Sequence, residues 1–286
     1  MTMTDSALKN SLTAIYDALA ADYERVVVPI YRPMAKRLAQ LVDIRPGWRI
    51  LDAGTGTGLM AMFVAPYVGK HGKIIGIDRA DQMLDIARQK ATRFGFTQCE
   101  FRNGDLEALE LEDAQFNAAF AQFSLHYTEL TQSLRELRRV LMPGGALAIH
   151  EWMELPNTPN RVLFETLKKY RVDKPNETLA RVRAQAERAS RFRDAFAKPE
   201  VMDKALTDTG FGRIKIREED YLMCVANVDA FLAIASATPL LYAELAALSS
   251  DVRARLFDEA RANLNSFETS NGFEWTYRVL VVVAHK

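Results

Sequence analysis

Net charge is the first thing this sequence lacks, since 37 lysines and arginines are balanced by 37 aspartates and glutamates. That balance argues against a general attraction to nucleic-acid backbones or anionic membranes. No apolar run is long enough to span a bilayer, and the opening MTMTDSALKN has no basic segment leading into an apolar stretch. Neither a membrane helix nor a secretory signal is read, and a cytoplasmic protein is expected. Cysteine is almost absent. Cys99 and Cys224, far apart in sequence, make neither a disulfide framework nor a zinc spacing, and both are expected as small core residues. There is no internal repeat, no low-complexity linker and no cluster of His, Asp and Glu at metal-ligand spacing, so no metal is expected. What is present is a chain of 286 residues that is 49% apolar, enough to bury the core of one large domain carrying insertions.

From Trp48 to Met153 short β-like runs alternate with helical ones: RILDAG, LMAMFVAPYV, KIIGID, DQMLDIARQKATRF, CEFRNGD, FNAAFAQF, LTQSLRELRRVL and ALAIHEWM. This rhythm predicts a doubly wound α/β fold with a mostly parallel sheet and helices on both faces. The stretch MPGG, Met142–Gly145, is expected to end a helix and turn into the next strand. Beyond Pro156 the pattern becomes long, charged, alanine-rich helix, and strand character returns only in RIKIREEDYLMCV and EWTYRVLVVVAHK. The expected organisation is N-terminal cap helices over 1–40 and a core over 41–286, with helical insertions near 157–198 and 227–267 forming a lid. Such insertions can equally pair two subunits in a homodimer. The arginines at 181, 183, 188, 191 and 193 are expected on a solvated helix face, given Glu187, Asp194 and their helical spacing.

The chemistry is concentrated in RILDAGTGTGLMA, Arg49–Ala61, a strand that runs into three glycines and then a helix. Glycine in such a turn lets the backbone approach a ligand and takes dihedrals closed to other residues. Alone the motif is weak. Gly56, Gly58 and Ala61 even satisfy G-x-G-x-x-A, the register of a nicotinamide dinucleotide site. Asp78 ends the next strand 20 residues after Gly58, where a carboxylate can accept both hydroxyls of an adenosine ribose or cap the following helix. Two further acids separate the cofactors. Asp52, beside the turn, would repel a pyrophosphate and favour a cationic amino-acid group. Asp105, at the end of a third strand, can accept from an adenine amino group.

With these motifs the sequence resembles the class I S-adenosylmethionine-dependent methyltransferases, above all the small-molecule branch that includes ubiquinone and menaquinone biosynthesis enzymes. The resemblance covers most of residues 12–153 and the last two strands. It implies a Rossmann-like, doubly wound, seven-stranded sheet. It also implies that Asp52, Gly54, Thr55, Gly56 and Gly58 form the methionine-binding motif of S-adenosyl-L-methionine and that Asp78 takes the ribose. Arg79 and Met83 would flank the adenine, and Asp105 with the Leu106 backbone would hold its edge. The segment FAQFSLHY, with Ala121, would face the methyl group. Ala80 departs from the serine that many relatives carry. The stretch AIYDALAADYERVVVPIY looks like the family's cap helix, in which Tyr23 can reach the methionine carboxylate or merely pack with Tyr16.

Methyl transfer from a sulfonium is an in-line displacement in which the protein mainly aligns and desolvates, yielding S-adenosyl-L-homocysteine. His126 is the first candidate for a base on an acceptor hydroxyl or amine, with Tyr127 and His150 behind it, and Glu151 and Trp152 as pocket linings. The expected function is therefore a methyltransferase acting on a small, partly apolar molecule. The alternative is a protein that binds S-adenosylmethionine or S-adenosylhomocysteine without catalysis.

Overall fold

A computed structural model describes residues 5–153, 155–196 and 198–286, with the side chains of Asp5 and of 193–196 outside the description. Helix α1 (Asp5–Asp22) runs through a π turn (Tyr23–Val27) into α2 (Val28–Gln40). There follow β1 (Arg49–Ala53), α3 (Leu59–Val68), β2 (Lys73–Asp78), α4 (Asp81–Phe94), β3 (Cys99–Asn103) and β4 (Phe116–Gln122). A 3-10 turn (Leu125–Tyr127) leads to α5 (Leu130–Val140) and β5 (Leu141–Met153). The remainder comprises α6 (Pro159–Lys168), α7 (Glu177–Phe196), α8 (Pro199–Asp208), β6 (Gly212–Val225), α9 (Val228–Ser236), α10 (Pro239–Ala246), α11 (Ser250–Leu264), β7 (Glu268–Thr269) and β8 (Gly272–His285).

The chain divides into two compact units. The core unit comprises Tyr31–Met153, Ala189–Glu219 and Val279–Lys286, and the helical unit takes the described parts of 1–30, 154–188 and 220–278. The sheet has the order β3-β2-β1-β4-β5-β8-β6, with the two-residue β7 paired antiparallel to β8. The pairings β1 with β2, β1 with β4, β2 with β3 and β4 with β5 are all parallel. The order reverses between β1 and β4, and in such sheets ligands bind outside the carboxyl ends of the strands at that switch point.

Successive β1 residues face opposite layers, which is why the strand reads as an unbroken apolar run. Ile50 joins Val64, Ile74 and Phe120 on one side, while Leu51 joins Leu134, Leu137 and Leu147 on the other. Phe192, Met202 and Leu206 pack into the second cluster, so α8 and the end of α7 belong to the core unit. The stretch MPGG does not separate helix from strand, because α5 ends at Val140 and β5 begins at Leu141. Leu141 pairs with Phe116 and Ala146 with Ala118, which makes MPGG a bulge inside the β4–β5 pairing. Nor are the cysteines core residues, since Cys99 is half-buried and Cys224 exposed. Among the described residues no single helix is long and apolar enough to cross a membrane.

The arginine run is not one solvated face. Arg183 forms a bidentate pair with Glu244 at 2.8 and 2.7 Å, Arg171 lies 2.9 Å from the same carboxylate, and Glu244 is only 1% exposed. Arg181 pairs locally with Glu177, and the side chain of Arg193 lies outside the described residues. A buried carboxylate holding two guanidiniums leaves both uncompensated when removed, so Glu244→Ala should cost about 2–4 kcal/mol of stability. Urea unfolding checks this, and Glu244→Gln should lose less because one acceptor oxygen remains.

Candidate functional site

The glycine-rich turn leaves β1 at the switch point and bends under β2, where the Gly54 and Thr55 amides both donate to the Ile77 carbonyl at 2.8 and 2.9 Å. Gly54, Gly56 and Gly58 all have positive φ, at 74°, 50° and 81°. A Cβ at Gly54 would lie 2.2 Å from that of Ser124, and one at Gly58 would lie 3.0 Å from that of Ala87. At Gly56 nothing stands within 4 Å, so this glycine opens onto free space. The turn is closed against protein at its two ends and bare in its middle, as a cradle for a ligand requires.

Asp52 is built into this turn. It is 2% exposed, and its Oδ2 accepts from the Thr55 hydroxyl at 2.7 Å and from the Ala61 amide at 2.9 Å, tying β1 to the first turn of α3. Burial pushes its carboxyl up to about 6, against the hydrogen bonds from Thr55 and Ala61, with the nearby Asp78 charge adding to the rise. Asp78, half-buried, accepts from the Gly56 amide through Oδ2 at 2.7 Å and from the Ala80 amide through Oδ1 at 3.0 Å. It thereby holds the bare glycine and the entry to α4 together. Arg79 donates to Asp105 Oδ2 at 2.6 Å, and Asp105 Oδ1 accepts from the Glu107 amide at 3.0 Å. Asn103 donates to the Arg79 carbonyl and to Asp81, which fixes the end of β3 against the start of α4. Met83, Leu106 and Ala121 are buried.

At the ends of β4 and β5, His126 is 4% exposed and its Nδ1 lies 2.8 Å from Glu151 Oε2. The other oxygen of Glu151 accepts from the Leu125 amide at 2.9 Å, so the carboxylate is held from two directions. A carboxylate only accepts, so the imidazole Nδ1 carries a hydrogen toward Glu151. The Tyr127 ring centroid lies 4.0 Å from that of His126. His150 is a poor proton acceptor. Burial pushes its imidazole down to about 3, assisted by Arg37 and Arg217 and opposed by Glu219.

The sequence-derived residues from Asp52 to His126 all fall within the core unit, around the carboxyl ends of β1, β2, β3 and β4. Tyr23 belongs to the helical unit, where its ring meets that of Tyr16 edge-on at 6.1 Å. Within FAQFSLHY and the cap-helix stretch, the sequence did not single out Ser124, whose hydroxyl donates to the Ala53 carbonyl at 2.8 Å, or the aromatic pair of Phe123 and Tyr31. Only their position at a strand end and in a helix could have suggested them.

The chain matches the family model of a methyltransferase domain over residues 50–145. It is 27% identical to nocamycin O-methyltransferase of Saccharothrix syringae over 94% of this chain and 96% of that protein. It is 28% identical to the 2-phytyl-1,4-naphthoquinone methyltransferase of Trichormus variabilis, over 58% of this chain and 73% of that one. In fold it resembles the YcgJ protein of Bacillus subtilis, with a TM-score of 0.56, 17% identity, and coverage of 88% of this chain and 97% of the other. Together with the glycine turn and its carboxylates, these likenesses define an S-adenosylmethionine-dependent methyltransferase of class I. The relatives it matches are small-molecule methyltransferases, which support that branch of the class with S-adenosylmethionine as cofactor. Nothing in these likenesses favours a binding protein without catalysis or a nicotinamide enzyme.

The buried Asp52 gives the site a measurable pH signature. Its carboxyl titrates near 6 in the folded protein and near 3.8 unfolded, so between these values the folded state holds the extra proton. Stability therefore falls as pH rises from about 4 to about 6 and is level above, a change of about 3 kcal/mol from this group. Urea unfolding of wild type and Asp52→Asn over that range should give a stability difference that follows this slope.

Proposed function

We propose that this methyltransferase transfers the methyl group to a hydroxyl of a small, partly apolar acceptor, with His126 as the base and Glu151 as its positioning residue. The observation that carries this reading is the buried His126–Glu151 pair at 2.8 Å. With Nδ1–H committed to Glu151, Nε2 is the atom left to take the hydroxyl proton, and the imidazolium so formed is stabilised by the carboxylate behind it. The fit to the cofactor rests on the open middle of the glycine turn and on acceptor carboxylates at the ends of β2 and β3. In this reading Gly54, Thr55, Gly56 and Gly58 hold the methionine part, with Asp52 fixing the turn. Asp78 takes the ribose hydroxyls, Arg79 and Met83 flank the adenine, and Asp105 and Leu106 hold its edge. Ala121 faces the methyl group, and Tyr23 reaches the carboxylate. When bound, S-adenosylmethionine supplies an activated methyl group on sulfur. The chain's own work is to align the acceptor, exclude water and remove its proton.

The relatives named for O-methylation and naphthoquinone methylation support a small organic acceptor, in keeping with a balanced surface charge rather than a nucleic-acid groove. A cytoplasmic setting and a lid formed by the helical insertions near 157–198 and 227–267 belong to the same proposal; two free cysteines suit a reducing compartment.

Calorimetric titration with S-adenosylhomocysteine tests the cofactor half. Asp78→Asn keeps one acceptor oxygen and should weaken binding about tenfold or more, and unchanged affinity would remove the ribose role. Turnover tests the other half. His126→Gln and Glu151→Gln should lower kcat about 100-fold with S-adenosylhomocysteine affinity within twofold of wild type. Equal turnover would return the pair to a structural role.

A further inference from the structure

The ion pair of Arg79 with Asp105 is unlike the exposed pairs around it. Arg45 with Asp43, Arg88 with Asp85 and Arg102 with Glu100 each join residues two or three apart. Arg79 and Asp105 are 26 residues apart and bridge the carboxyl ends of two neighbouring parallel strands, just past the last register pair, Asp78 with Asn103. Both sides of the bridge are anchored. The Arg79 carbonyl accepts from Asn103 Nδ2 at 2.9 Å, and the Gly104 amide donates to the Asp78 carbonyl at 3.0 Å. Within the Asp105 carboxylate, Oδ1 takes the Glu107 amide at 3.0 Å and Oδ2 takes Arg79 Nη1 at 2.6 Å. One oxygen on the backbone and the other on a guanidinium fix the plane of the group. Its oxygens have about four acceptor sites, more than these two bonds use. The two side chains are 34% and 29% exposed, so the pair is screened by water and adds little to stability. What it does set is the direction of an acceptor at the end of the sheet where ligands bind.

We infer that Arg79 is a positioning residue for cofactor recognition: by holding Asp105 in one orientation it makes the site demand the exocyclic amino group of the purine. This rests on the methyltransferase reading of the same site and adds which residue sets its selectivity. A preset acceptor takes an N–H without first giving up rotational freedom, whereas a purine lacking the amino group leaves a desolvated oxygen without a donor. When the guanidinium is removed, Oδ2 loses its tie, the carboxylate turns about its Cβ–Cγ bond toward water, and the amino group is worth less. Flanking the ring is a separable role, because it depends on the face of the purine and not on what stands at its 6-position.

The test is calorimetric titration of the full chain with S-adenosylhomocysteine and with its 6-desamino analogue, in which hydrogen replaces the amino group. Wild type should prefer S-adenosylhomocysteine about thirtyfold, the scale of a hydrogen bond to a charged group. Arg79→Met keeps a long side chain beside the purine and should cut that preference to about fivefold or less. Arg79→Lys, which can still pair with Asp105, should return it above about tenfold. Asp105→Ala should abolish the preference, and adding Arg79→Met to it should change nothing further. Melting temperatures of the Arg79 variants should stay within about two degrees of wild type, which separates loss of orientation from loss of the fold. No preference in wild type, a preference that survives Arg79→Met, or an equal loss of affinity for both ligands would overturn the proposal, as would Arg79→Lys showing no more preference than Arg79→Met. Failure of S-adenosylhomocysteine to bind wild type would overturn the cofactor reading and this proposal together, whereas failure of the proposal alone leaves that binding intact.

Discussion

A single buried oxygen, Asp52 Oδ2, receives both the Thr55 hydroxyl and the Ala61 amide, and the geometry of the site follows from that junction. It sits where strand becomes helix, so it fixes how far the glycine turn bends before α3 begins. The amides of Gly54 and Thr55 complete the bend on the Ile77 carbonyl, and Asp78 then reaches back to the Gly56 amide. Two carboxylates at the ends of adjacent parallel strands therefore hold one short loop, the first from within and the second from its rim. Desolvation makes the inner one costly as an anion, and its hydrogen bonds offset part of that cost.

The second half of the site uses the same device, a carboxylate shared between a backbone amide and a side chain. Glu151 holds the Leu125 amide with one oxygen and His126 with the other, so the 3-10 turn after β4 and the imbedded imidazole are set by the neighbouring strand. His150, one residue earlier on β5, has its imidazole pushed down to about 3 by burial. The two histidines thus have different surroundings, one oriented by a carboxylate and the other kept neutral by burial.

Much of this was legible in the sequence because its causes are local. The glycine spacing, the carboxylate that ends β2 and the alternation of short apolar runs with helical ones each depend on a few neighbouring residues, and the parallel sheet follows from them. What was not legible depends on residues far apart. Arg183 looked like one of a row of solvated arginines until the chain brought Glu244 beneath it. MPGG has the composition of a turn, yet the strand opposite makes it a bulge. No pattern of residue types announces that Phe123 adopts a left-handed backbone, with its ring on Trp152 and its amide on the His150 carbonyl. Asp52 was recognisable as part of the motif, but its inward-facing bonds are a property of the folded turn.

The position of β8 between β5 and β6 bears on how the protein is made. Residues 279–285 fill a gap in a sheet whose first strand begins at Arg49, so synthesis reaches them long after the glycine turn has emerged. Until then β5, most of which is buried in the finished fold, presents an unpaired apolar edge of the kind that templates association between chains. A chain interrupted before β8 would leave that edge of β5 unpaired and its sheet open.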